Sequence, residues 1–229
     1  MFAALQDFFS QLITGCKMTL ALSCCILPVG LVLGVLGASL ELSHWKILRK
    51  ITLGATIILR GLPELLIIFA IYFGGTLMLS KLFKSYVEID AFTAGVVALS
   101  LIFGAYASQI FRGAFLAIPI GQLEAAKALG YTNIQLFIHI LLPQAWRHAL
   151  PGLSNLWFVS IKDSALVALI GLPELMNKAQ IAANTTQQPF TFYIAAAFIY
   201  LMLTTVVQII TYYCVKRANH YITSQEETA

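Results

Sequence analysis

The sequence predicts an all-α integral membrane protein with five transmembrane helices. Three observations carry that prediction: a strongly apolar composition, five long apolar stretches, and an uneven distribution of basic residues between the segments that join them. Of 229 residues, 59% are hydrophobic and only 10% are charged, whereas a soluble domain carries roughly 25% charged residues. A soluble fold of this length cannot hide so much apolar surface, so the solvent for most of the chain is lipid.

The first stretch, Met18–Leu40, runs its whole length without a charge. The second, Leu65–Ser80, is also charge-free and extends backwards through Arg60 and Glu64. Ala91–Phe111 and Phe190–Val215 carry no charge, and Leu150–Leu172 is interrupted only by Lys162 and Asp163. About 20 apolar residues in a helix cross the roughly 30 Å hydrocarbon layer. A helix also satisfies its own backbone polar groups, so each stretch reads as a spanning helix. The expected spans are 12–40, 57–80, 91–116, 150–172 and 190–215, in a single transmembrane domain covering 1–229. None of them alternates apolar with polar residues, which excludes a β-barrel.

An odd number of spans puts the termini on opposite sides. Lys46, Arg49, Lys50, Arg112, Lys127, Arg147, Lys216 and Arg217 fall on one side, against Lys81, Lys84 and Lys178 on the other. The positive-inside rule makes the richer side cytoplasmic, with the N-terminus outside and the C-terminus in the cytoplasm. Residues 1–11 lack a basic leader and a small-residue cleavage site and are expected to be retained. Cys16, Cys24, Cys25 and Cys214 lie in or beside apolar spans, without C-x-x-C spacing, and read as packing residues. Dispersed basic residues give no nucleic-acid patch. His139 and His148 are nine residues apart with no ligand pattern, so no metal site is expected, and no nucleophile–base set or paired carboxylates indicate catalysis.

Gly30, Gly34 and Ala38 recur every four residues in the first span, a ridge that lets helices approach closely, within the subunit or between subunits. Between the third and fourth spans lies the one long connection, 112–149, a length that is usually functional. Its part 119–143 reads as an elbow on the membrane surface. One helix is stopped at Gly130 by a C-terminal glycine, with Glu124 in its first turn favouring the helix dipole. A second apolar run, Ile134–Leu142, is stopped by Pro143.

Glu124-Ala125-Ala126-Lys127-Ala128-Leu129-Gly130, followed after nine residues by Ile140-Leu141-Leu142-Pro143, resembles the E-A-A-x3-G-x9-I-x-L-P loop of ABC importer permeases at every position of that pattern. Further segments resemble the polar-amino-acid branch of that family, such as Arg60-Gly61-Leu62-Pro63-Glu64 and Phe111-Arg112-Gly113-Ala114. Ala105–Gln109, Trp146–Gly152 and Lys162–Val167 resemble its arginine-type subgroup. The likeness covers about 55–205. Gln109, Ser164 and Leu62 depart from the commoner Glu, Thr and Thr.

The resemblance implies a type I importer permease with a cytoplasmic coupling-helix elbow between helices 3 and 4. Glu124, Ala125, Ala126, Gly130 and Pro143 would couple it to the ATPase. It also implies an inner-membrane complex with a second permease, identical or homologous, two ATP-binding-cassette ATPase subunits and a periplasmic or surface amino-acid-binding protein. The chain has no G-x-x-x-x-G-K-[ST] loop, so it is not itself an enzyme and binds no cofactor; ATP-Mg would sit on the partner ATPase. A self-sufficient secondary transporter or channel is the alternative.

Ionisable side chains inside spans are costly and mark substrate paths or helix–helix locks. Arg60 and Glu64, four residues apart on one helix, either pair with each other or let Glu64 face a pore. Lys162 and Asp163 point about 100° apart and do not pair face to face. Asp163 suits a substrate guanidinium through charge-assisted hydrogen bonds, with Asn155 and Ser164 adding polar contacts. The candidate substrate path is therefore Asp163, Glu64, Asn155 and Ser164, with a structural lock as the competing role.

Overall fold

The computed structural model describes residues 2–226, and the side chains of residues 5–218. Met1 and residues 227–229, and with them the ends of the expected retained N-terminus and of the C-terminal segment, lie outside the described residues. Eight helices follow in order among the described residues: α1 (Phe2–Glu41), α2 (Lys46–Gly61), α3 (Glu64–Phe83), α4 (Ala91–Leu116), α5 (Ile120–Ala128), α6 (Asn133–Ile170), α7 (Leu175–Thr186) and α8 (Pro189–Glu226). Five of them, α1, α3, α4, α6 and α8, are long and apolar enough to cross a membrane. No strand occurs among the described residues.

The central helix is α4, buried along most of its length, and its most extensive partner is α1. The small residues of α1 make that contact possible. Gly34 comes so close to α4 that a side chain there would lie 2.5 Å from Ala107 Cβ. Ala38 is fully buried one turn further on. The ridge of small residues is thus used within the subunit, where close approach increases van der Waals contact that lipid cannot replace. The other face of α4 receives α6, and the core between the layers holds Leu22, Ile26, Ile68, Phe103 and Phe111. α3 and α8 are buried along little of their length and leave broad apolar faces uncovered. Cys24 and Cys25 on α1 and Cys214 on α8 are exposed, so these three of the four cysteines, expected as packing residues, are not packed within this subunit.

Two expected boundaries, both at prolines, differ in the structure. The second expected span is not one helix. Leu62 (φ −89°, ψ 145°) and Pro63 (φ −56°, ψ 132°) are extended and separate α2 from α3. Proline disfavours a helical conformation in the residue before it, so Leu62 leaves the helix. Arg60 and Glu64 therefore stand on two helices, and the four-residue spacing does not place them on one face.

Pro143, by contrast, stops nothing. A wide π-turn over Phe137–Leu141 precedes it, and the helix runs on through Pro143 and Pro151 to the 3-10 turn at Ala168–Ile170. Proline inside a helix lacks the donor to, and crowds, the carbonyl four residues back. A π-turn at that place relaxes the register. The fourth span thus grows continuously out of the elbow instead of starting at residue 150.

Candidate functional site

A cleft of about 420 Å³ opens between α3, α4 and α6. Glu64 contributes from the first turn of α3, Leu99, Tyr106 and Gln109 from α4, and Asn155, Ser160 and Asp163 from α6, with Arg60 reaching in from the end of α2. Three of the four expected path residues, Asp163, Glu64 and Asn155, line it. Among the described residues neither the Glu64 nor the Asp163 carboxylate has a hydrogen-bond or ion-pair partner. Two unpaired carboxylates at membrane depth are tolerated where water or a ligand reaches them.

Ser164 is different. Its side chain is fully buried, and its hydroxyl donates to the Ile161 carbonyl at 2.7 Å, one turn back. It lies outside the cleft lining and has no direct access to a substrate there. Lys162, next to Asp163 in sequence, diverges from it as helix geometry requires. Its ammonium lies 4.4 Å from the Phe158 ring centre, on a separate apolar groove between α6 and α8.

Two buried carboxylates that sequence reasoning missed tie helices together at the two ends of the bundle. Glu41, the last residue of α1, is 2% exposed. Its oxygens accept from Gln109 Nε2 at 2.9 and 2.8 Å, from Thr56 Oγ1 at 3.0 Å and from Ser108 Oγ at 3.3 Å, with Arg112 Nε at 3.9 Å. One side chain thereby ties α1 to α2 and α4 at the end of the bundle that carries the elbow. Glu174 plays the matching part at the opposite end. It is fully buried, caps α7 by accepting from the Asn177 amide at 2.8 Å, and also accepts from Tyr200 at 2.6 Å and Thr19 at 3.2 Å. It joins α1, α7 and α8. The available signal was the same for both: a lone acidic residue bordering a long apolar run.

The elbow is built for display. α5 ends in a Schellman turn: the Tyr131 amide donates to the Ala126 carbonyl, the Gly130 amide to the Lys127 carbonyl, and Gly130 takes φ +86°. Thr132 and Gln135 then open α6 with a reciprocal capping box. Only Ala126 of the expected coupling residues is buried; Glu124, Ala125, Gly130 and Pro143 are exposed. Glu124 is the fifth residue of α5, because the helix begins at Ile120, so it lies beyond the first turn and outside the strongest part of the dipole. Ile120, Leu129 and Ile134 flank these small residues and are 71%, 79% and 72% exposed. An apolar rim around small side chains is a surface suited to receiving another protein.

The comparisons with known proteins agree with this geometry. Residues 27–220 match the family of binding-protein-dependent transport system inner membrane components. The chain belongs to that family. It is 48% identical over 204 residues to the arginine ABC transporter permease protein ArtQ of Haemophilus influenzae, covering 89% of this chain and 91% of that one. It is 37% identical to the histidine/lysine/arginine/ornithine transport system permease protein HisQ of Escherichia coli, covering 88% and 90%. A crystal structure of an amino acid ABC transporter with histidines superimposes with a TM-score of 0.81 at 31% identity, covering 95% of this chain and 98% of that chain. The fold is that of a type I ABC importer permease, a multi-pass inner-membrane subunit rather than an enzyme. Its elbow is the coupling loop typical of the family, and a permease of this kind works in a complex with an ATPase and a binding protein.

Proposed function

We propose that this permease carries a basic amino acid, arginine foremost, across the inner membrane, and that the cleft between α3, α4 and α6 is its path. The observation that carries the reading is the pair of unpaired carboxylates, Glu64 and Asp163, in the cleft wall. A cationic substrate would supply the counter-charge that the subunit lacks there, through charge-assisted hydrogen bonds. The relatives named for arginine and for histidine, lysine, arginine and ornithine support the same substrate class.

The working assembly pairs this chain with a second copy or a homologue. Two ATP-binding-cassette subunits, which hold ATP-Mg, dock on the elbow around Glu124, Ala125, Ala126, Gly130 and Pro143. A periplasmic or surface binding protein delivers substrate at the opposite face. The permease itself binds no cofactor, its N-terminus lies outside and its C-terminus in the cytoplasm. The reading as a self-sufficient transporter is not favoured, since relatives matched over nine tenths of the chain are named as parts of ABC systems.

The test is uptake by the complete complex in proteoliposomes. Asp163→Asn should reduce arginine uptake at least tenfold and glutamine uptake far less. Equal loss for the two amino acids would assign Asp163 to helix locking and remove the basis for a cationic substrate.

A further inference from the structure

We propose that Arg60 is the residue that binds the substrate's α-carboxylate, which makes the cleft selective for amino acids over simple cations. The proposal rests on the reading of the cleft as a path for a basic amino acid. Arginine presents two cationic groups and one carboxylate. The cleft lining presents two carboxylates, Glu64 and Asp163, and one cation, Arg60. The two sets of charges are complementary in sign and number.

Arg60 is free to take that part. The break at Leu62–Pro63 removes it from the face of Glu64, and no carboxylate lies in ion-pair range of it among the described residues. Its guanidinium instead rests 5.2 Å from the centre of the Tyr106 ring, on the cleft wall. A guanidinium stacked on an aromatic ring is oriented while its N–H fork stays available for a bidentate carboxylate. The neighbouring amide of Gln109 cannot substitute for it, since its Nε2 donates to both oxygens of Glu41.

The spacing fits as well. Two close contacts fix the register of the antiparallel α4 and α6: a side chain at Gly152 would meet Ile110 at 3.1 Å, and one at Gly95 would meet Val167 at 2.7 Å. That register places Leu99 across from Asp163 and Tyr106 across from Leu156. The level of the Arg60–Tyr106 stack is thus seven residues, about 10 Å, from that of Asp163. Extended arginine separates its carboxylate carbon from its guanidinium carbon by on the order of 8 Å, six bonds of roughly 1.5 Å in zigzag. Hydrogen bonds at either end cover the remainder. Arginine lying along the cleft then meets Arg60 with its carboxylate and Asp163 with its guanidinium, and Glu64 adds a second negative charge to the same wall.

Equilibrium binding to the purified permease–ATPase complex in nanodiscs tests this with two probes, L-arginine and agmatine, which is arginine without its carboxylate. Wild type should bind arginine at least tenfold more tightly than agmatine. Arg60→Met should lower arginine affinity at least tenfold and leave agmatine within about twofold. Arg60→Lys should recover part of the arginine affinity. Matching gel-filtration profiles and thermal melts establish that the variants are folded.

If Arg60→Met binds arginine like wild type while Asp163→Asn does not, the carboxylate assignment is wrong and the cleft reading stands. Equal loss of arginine and agmatine in Arg60→Met makes Arg60 a structural residue and overturns the proposal. If the wild-type complex binds neither probe, or if Asp163→Asn and Arg60→Met both bind arginine unchanged, the cleft reading itself fails and the proposal with it.

Discussion

Glu41 and Gln109 are joined by two short hydrogen bonds, Nε2 donating to both carboxylate oxygens at 2.9 and 2.8 Å. Glu41 is buried at the elbow end of α1, and Gln109 is part of the cleft wall. The pair therefore links the anchoring of α1 to the wall of the candidate path. Removing a buried acceptor strands its donors and costs about 1–3 kcal/mol, with hydrogen bonds inside membranes toward the lower end. Glu41→Ala should lower the thermal unfolding midpoint of the purified complex by several degrees. A double-mutant cycle with Gln109→Leu should show coupling of at least about 0.5 kcal/mol. Strict additivity would mean that the pair does not act as a unit.

This link was out of reach of the sequence for a physical reason. The donors to Glu41 lie 15, 67 and 68 positions away, and nothing local announces that three helices will converge on one carboxylate. A charge at the edge of an apolar run reads equally well as the end of a span. What was legible was whatever depends on local composition: five apolar runs, and a compact elbow motif with its glycine stop. Asp163, Glu64 and Asn155 stood out because polarity inside an apolar helix is visible one residue at a time. Ser164 was selected by the same rule, yet helix phase turns it into the core. The two prolines act in opposite senses, since whether a proline breaks a helix depends on the turn before it. Pro63 follows an extended Leu62, and Pro143 follows a π-turn that absorbs it.

Gly130 holds a backbone conformation that side chains resist. At φ +86° a non-glycine residue is strained by about 1–2 kcal/mol. Gly130→Ala should therefore loosen the turn that fixes α5 against α6 and reduce transport per ATP hydrolysed by the complex. Gly130→Pro should do far more, because proline cannot reach that φ and also removes the amide that bonds Lys127. The expected result is near-complete loss of substrate-stimulated ATPase activity with unchanged membrane insertion. Normal uptake in Gly130→Pro would remove the elbow from the coupling path.

Tyr200 offers a contrast between stability and substrate binding. Its hydroxyl donates to the fully buried Glu174 at 2.6 Å, away from the cleft. Tyr200→Phe keeps the ring and deletes that donor, leaving Glu174 with Thr19 and the Asn177 amide. The change should cost about 1–2 kcal/mol, seen as a lower melting midpoint, while arginine affinity stays within about twofold. A large loss of affinity at unchanged melting midpoint would show that Glu174 and its donors belong to the binding site.

Close packing of α1 on α4 makes the most specific demand on side-chain size. A Cβ at residue 34 would lie 2.5 Å from Ala107 Cβ and 3.2 Å from the Ala107 backbone carbon, closer than carbon atoms approach without displacement. Neither group can swing aside, since one is a methyl and the other is main chain. Gly34→Ala should push α1 off α4 and cost on the order of 1–3 kcal/mol by overpacking, read as a lower folded yield in gel filtration and a lower melting midpoint. The clash is partly with the Ala107 methyl, so Ala107→Gly in the same chain should recover part of the loss. The single Ala107→Gly variant should be mildly destabilised by the gap it leaves. This reciprocal pattern separates contact between the two residues from any general intolerance at position 34. If Gly34→Ala melts like wild type, α1 and α4 lie further apart than this packing requires, and the small-residue ridge has a different partner.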